Sequence, residues 1–248
     1  MGKSSEVEER VFEWLISPVS DALARKSFDL QKKGGLESEQ HYINRVKGSL
    51  TEELMVKSLR EEIAKGFDKL EQELPKKLSS SDWKTFQQQL RSGTLFHASG
   101  SSILVDLEKN EDPNFQKILG ISDQMMVHFY EIASECYQQK DYDSASAIFR
   151  ILTFLNPMRY QIWLSLGIAN QYRKHFDEAL HAFAFSALLN GKDPSSRFYA
   201  AKCYLQQKRH KDAKEELEAG LEIAEAIGKA DQWKKFAEDI RYAIQGKK

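Results

Sequence analysis

The chain of 248 residues holds only two cysteines, five prolines and thirteen glycines, and each scarcity excludes something. Two cysteines cannot form a disulfide framework. Cys136 and Cys203 each sit in an apolar helical run where a thiol acts as a small hydrophobe, so a reducing cytoplasm is the expected compartment. Few prolines and glycines speak against a turn-rich sheet protein and for long helices. Excess charge of one sign is also missing. With 36 basic and 37 acidic residues the formal net charge is −1, so no global field draws the chain to nucleic acid or to an anionic membrane. The pairs Lys32-Lys33, Lys76-Lys77 and Lys247-Lys248 are short and scattered and read as solvated surface. No run approaches the ~20 apolar residues that span a bilayer. Met1 to Glu6 is followed by charge instead of a secretory apolar stretch, and Glu6 stands where a myristoylation signal needs Ser or Thr. A soluble protein without stable membrane insertion is expected.

Reactive motifs are equally scarce. The sequence has no phosphate-binding glycine motif, zinc-ligand spacing or nucleophile elbow. Its six histidines are dispersed, and His175 and His181 lie six apart, on different faces of a helix. Asp141-Tyr142-Asp143 opens like a calcium loop but lacks the following glycine and terminal glutamate. Gly100-Ser101-Ser102 has no helix start with phosphate-loop features after it and reads as loop. No catalytic residue, metal ligand or cofactor is expected, and the protein is read as a non-enzyme.

What is present is periodicity. Ala145, Ala179 and Ala213 stand 34 residues apart. Phe149, Phe183 and Leu217 follow them by four, Tyr142, Phe176 and His210 precede them by three, and Ala133, Gly167 and Ala201 precede them by twelve. Ile132, Leu166 and Ala200 form a further series. Small residues at two fixed places with an aromatic between them resemble the tetratricopeptide repeat, whose paired helices approach closely. The spacing predicts helix pairs at about 123–138 with 142–154, 159–172 with 176–189, and 195–207 with 210–226. A closing helix at about 229–244, with Trp233, Phe236 and Ile240, would cover the last repeat. The expected fold is all-α: three helix-turn-helix repeats in a right-handed superhelix, a C-terminal capping helix and a helical N-terminal extension.

The extension, residues 1–95, does not repeat. Val7, Val11, Trp14 and Leu15 form an apolar stripe interrupted at Ser17-Pro18, and Gly34-Gly35 ends that unit. Ser49 with Glu52 resembles a capping box. It would open the longest helix, with Leu50, Leu54, Leu59, Ile63, Phe67, Leu70 and Leu74 on one face and a stop before Pro75. That stripe must be buried, within the chain or against a partner or second copy. A further helix is expected at about 82–91. Residues 96–121 are read as a linker and 122–248 as the repeat domain with its cap.

In tetratricopeptide architecture the first helix of each pair lines a concave groove, and its fifth position points inward. Counting from Met126, Tyr160 and Pro194 gives Tyr130, Leu164 and Phe198; the ninth and twelfth positions are Ser134 and Tyr137, Ile168 and Gln171, and Lys202 and Leu205. The groove is mainly apolar and lacks the Lys, Arg and Asn set that clamps a peptide's terminal carboxylate. The expected ligand is an extended segment whose spaced apolar side chains enter pockets while its backbone meets Gln171, Ser134 or tyrosine hydroxyls.

A more specific likeness lies in Gly120-Ile121-Ser122-Asp123, Leu155-Asn156-Pro157, Ile162-Trp163-Leu164-Ser165-Leu166-Gly167-Ile168-Ala169, Asp193-Pro194 and Phe198-Tyr199-Ala200-Ala201-Lys202-Cys203-Tyr204-Leu205, in that order. Over about residues 115–228 the chain resembles the class II chaperones of bacterial type III secretion, the SycD/LcrH type. Tyr199 and Lys202 depart from that family's pattern, which has histidine and an acid there. The resemblance implies a cytoplasmic chaperone that holds a segment of a hydrophobic secreted translocator or effector in the groove and keeps it soluble and secretion-competent. The family's groove residues carry over onto Tyr130, Tyr137, Leu164 and Phe198. It also implies homodimerisation through N-terminal helices, although the extension could equally be a second client surface or a lid. The alternative function is a general repeat adaptor that assembles a complex without a secretion client.

Overall fold

The structure, a computed structural model, describes residues 57–91, 116 and 120–244. The helices among them are α1 (Lys57–Glu73), α2 (Ser80–Arg91), α3 (Asp123–Gln138), α4 (Tyr142–Leu155), α5 (Tyr160–Tyr172), α6 (Phe176–Leu189), α7 (Ser195–Gln206), α8 (His210–Ala226) and α9 (Ala230–Ile244), with a 3-10 turn at Leu74–Lys76. No strand occurs among the described residues. The fold is all-α, with α3/α4, α5/α6 and α7/α8 as the three pairs and α9 as the closing helix. The Ser49/Glu52 capping box and the apolar stripe near the N-terminus lie outside the described residues.

Local chemistry sets the helix starts. Ser122 accepts a hydrogen bond from the Met125 amide and caps α3, while Asp141 accepts from the Ser144 amide and caps α4. Pro75 sits in the first turn of the 3-10 segment that ends α1, where its missing N–H costs nothing.

One turn closes the first helix of all three pairs. The Asp141 amide donates to the Cys136 carbonyl at 2.9 Å, and His175 to Asn170 and Arg209 to Tyr204 repeat the bond. The residue before each donor is left-handed: Lys140 at φ 64°, Lys174 at 65° and Lys208 at 61°. The same turn ends α8, but there Gly228 takes the position at φ 68°. A side chain in this region costs roughly 1–2 kcal/mol, part of which glycine's larger unfolded-state entropy offsets. Replacing Lys140, Lys174 and Lys208 by glycine is therefore expected to stabilise the fold by about 0.5–1 kcal/mol each. A stepwise rise in melting temperature across the single, double and triple variants checks this.

The pairs pack through small residues. A methyl group on Gly167 would lie 2.4 Å from the Phe183 ring, and Phe183 is itself fully buried. The first pair carries an additional layer. Helix α1 runs along α4, with Gly66 against the Ala147 backbone, where an added Cβ would sit 2.9 Å from the carbonyl carbon and oxygen. Leu70, Leu74 and Phe86 join Phe129, Ile132, Ile148 and Leu152 in one core, with Ile63 and Phe67 packed on it. The apolar stripe of α1 is thus buried within the chain over these residues. The C-terminal end of the expected linker packs too: Gln116 is buried and donates to Asp123 at 2.6 Å, and Ile121 lies in the core.

A polar seam fastens α1 to the first two pairs. Glu62 accepts from Ser146 Oγ at 2.7 Å, Arg173 Nη1 at 2.8 Å and Arg150 Nε at 3.4 Å. Arg150 also reaches Glu178 at 3.2 Å, and Arg173 reaches Asp143 at 2.7 Å. The Arg173 hydrogen bond holds the Asp143 carboxyl below the ordinary aspartate range.

Candidate protein-binding face

The first helices α3, α5 and α7 turn one side to their partners and leave the other open. Met126, Phe129, Ala133 and Cys136 of α3 are buried, whereas Tyr130 is 38% exposed and Ser134 and Tyr137 are half-buried. On α5, Ile162, Trp163, Leu166 and Ala169 are buried, while Leu164, Ser165 and Ile168 are half-buried and Tyr172 is 45% exposed. On α7, Tyr199, Lys202 and Leu205 are half-buried.

Side chains 35 residues apart tie these helices into one strip. Tyr130 Oη and Ser165 Oγ are 3.0 Å apart and share a hydrogen bond. The rings of Tyr137 and Tyr172 meet edge to face at 5.5 Å between centroids, and Gln171 donates to Gln206 at 3.0 Å. Tyr142 stacks on Tyr172 at 4.9 Å and touches Tyr137 at 5.4 Å, which makes a three-ring cluster. Burial, with a hydrogen bond to Tyr172, raises the Tyr137 phenol above its ordinary range, and the three rings present hydroxyls that can donate and accept. Ser134 donates back to the Tyr130 carbonyl at 2.8 Å.

Seven of the nine residues singled out from the sequence reach this strip: Tyr130, Ser134, Tyr137, Leu164, Ile168, Lys202 and Leu205. Two do not. Phe198 is 0% exposed, stacked on Trp233 at 4.5 Å and edge-on to Phe236 at 5.7 Å. Its neighbour along the solenoid is the closing helix, and two aromatic rings of α9 cover the position that the helix count turns inward. Gln171 is 3% exposed and engaged with Gln206, so its amide braces α5 against α7 and is not offered to a ligand. Conversely, Tyr172 and Tyr199 belong to the strip and escaped the count. Their signal in the sequence is an aromatic 35 residues after Tyr137 and another beside Phe198.

Burial raises the Cys136 thiol and pushes the Cys203 thiol up to about 12, so neither supplies a thiolate at neutral pH. Among the described residues no group of three or more His, Cys, Asp or Glu could hold a metal ion. No helix among them is long and apolar enough to cross a membrane.

The class is thereby defined: a tetratricopeptide-type helical solenoid whose first helices present a continuous aromatic and aliphatic strip. No family model matches the chain. It is 31% identical over 107 residues to the low calcium response locus protein H of Yersinia pestis, a match covering 43% of this chain and 61% of that protein. The likeness to the LcrH type carried by the sequence is thus met by a protein of that name. The chain spans less than two thirds of that curated relative's length. Among solved structures, one from the CopN–Scc3 complex is similar with a TM-score of 0.51 and 28% identity, covering 62% of this chain and 99% of that one. A type III secretion complex from Aeromonas hydrophila shares the fold with a TM-score of 0.51 at 21% identity, over 57% of this chain and 95% of its own. Both likenesses cover more of this chain than residues 122–248 make up.

Proposed function

We propose that this protein is a cytoplasmic, non-enzymatic chaperone of a type III secretion system, which holds an extended apolar segment of a secreted translocator along the strip of α3, α5 and α7. The observation that carries the reading is that strip: partly exposed Tyr130, Tyr137, Leu164, Ile168, Tyr172 and Leu205 on three consecutive first helices, fixed to one another by the 35-residue contacts. The similarity to the low calcium response protein and to a chain of the CopN–Scc3 complex supports it. A membrane-inserting translocator exposes apolar segments before delivery, and covering one lowers its aggregation by mass action. Residues 122–248 form the binding unit in this reading, and any homodimer would use the region N-terminal to it.

The test is co-expression with type III secretion translocator proteins, followed by pull-down and a solubility assay. A soluble complex is expected. Leu164 is half-buried and central, so Leu164→Glu places a carboxylate where the client buries an apolar side chain. It should weaken binding by about 2 kcal/mol, roughly thirtyfold, with helicity retained. If no translocator gains solubility while the chain copurifies with a folded partner, the adaptor reading replaces this one.

A further inference from the structure

The strip carries one charged group, Lys202, and its environment is unusual for a lysine. It is half-buried on α7 between Tyr199 and Leu205, and its ammonium lies 5.6 Å from the centre of the Tyr172 ring on α5. No carboxylate lies within ion-pair distance of it among the described residues. Arg197 on the same helix is paired with Glu216, and Arg173 and Arg209, just beyond the ends of α5 and α7, are paired with Asp143 and Glu62 and with Asp212. A cation–π contact lowers the cost of holding an ammonium here but leaves its three donors without an anion. Lys202 is half-buried, with half-buried Tyr199 and Leu205 three residues to either side on the same helix and the Tyr172 ring beside its ammonium, so a carboxylate brought there interacts in a lower dielectric than at open surface.

We infer that the strip recognises a client segment bearing an aspartate or glutamate among its apolar residues, with that carboxylate on Lys202 beside the Tyr172 ring. This rests on the chaperone reading above and adds the charge of the segment that fits. The apolar contacts of Leu164 and Ile168 supply affinity in either charge state, while Lys202 sets the register and rejects segments that bring a cation to the same place.

The experiment uses the full chain and short synthetic peptides on one leucine-spaced scaffold, with Glu, Gln or Lys placed at each intervening position in turn. Binding is read by fluorescence anisotropy. At one register the wild-type chain should bind the Glu peptide about tenfold more tightly than the Gln peptide and reject the Lys peptide. The Glu over Gln preference should shrink with added salt. Lys202→Met should bring the ratio close to one, and Lys202→Glu should invert it in favour of Lys. Circular dichroism of both variants confirms that they are folded. Binding of all peptides with no charge preference, or a preference that survives in Lys202→Met, overturns the inference and leaves the chaperone reading standing. No binding of any peptide by the wild-type chain, neutral ones included, overturns both.

Discussion

Phe198→Ala is expected to destabilise the protein by about 4 kcal/mol and to do so at its C-terminal end. The ring is fully buried, stacks on Trp233 at 4.5 Å, meets Phe236 edge-on at 5.7 Å, and shares a core with Ala201, Leu217, Ala224, Ala237 and Ile240. Removing a buried phenyl ring loses its transfer energy and leaves a cavity, and the aromatic pairs add their own share. Collapse can fill the space only if α8 or α9 shifts toward α7. A methyl on Gly220 would sit 3.4 Å from the Phe198 ring and 3.2 Å from Arg197 Cβ. In a solenoid each unit leans only on its neighbours, so the loss should be local. Hydrogen exchange should accelerate in α7, α8 and α9 far more than in α3 and α4, and Trp233 fluorescence should shift as its stacking partner disappears. Unchanged melting and exchange, with binding alone weakened, would return Phe198 to the binding face.

That residue also shows where reading the sequence ends. The 34-residue period fixes the helices well: α3 and α6 fall at 123–138 and 176–189 as the spacing predicts, and α8 at 210–226. It does so because steric demands recur. Gly167 is small because Phe183 fills the space above it, and Ala145, Ala179 and Ala213 are all fully buried. Which side of a first helix stays open is a different question, settled by what lies beside it. Counting within the repeat treats Phe198 like Tyr130 and Leu164, but only Phe198 has α9 as its neighbour. The left-handed lysines are hidden for another reason. Nothing in a lysine signals positive φ, and the conformation comes from the backbone bonds that the turn must satisfy. The placement of α1 was the least legible of all. Its stripe demands burial without naming the surface, and the partners of Glu62 lie 84, 88 and 111 residues further along.

Those distant partners make Glu62 the most consequential polar side chain of the seam. Glu62→Ala is expected to cost about 3 kcal/mol, more than an exposed ion pair contributes. The carboxylate is only 12% exposed, lies between buried Arg150 and half-buried Arg173 and accepts from both, as well as from Ser146. Its removal deprives two guanidinium groups and a hydroxyl of an acceptor in a seam largely shut off from water, the situation in which breaking an ion pair is costly. The loss stays below the largest values for such sites because Arg150 keeps Glu178 and Arg173 keeps Asp143. Glu62→Gln retains an acceptor but not the charge, and should fall between alanine and wild type. Alanine at Glu62 should also loosen α1 from α4, so that Leu70 and Leu74 lose their seat and hydrogen exchange rises along α1 and α4 before global unfolding. Urea denaturation measures the total, and exchange locates it. A cost near zero for Glu62→Ala would mean that α1 is not held on the first repeat. Residues 57–91 could then be removed without harm to the binding face. The expected loss instead makes them part of the folded unit, so a fragment that begins at the first repeat should be markedly less stable than the full chain.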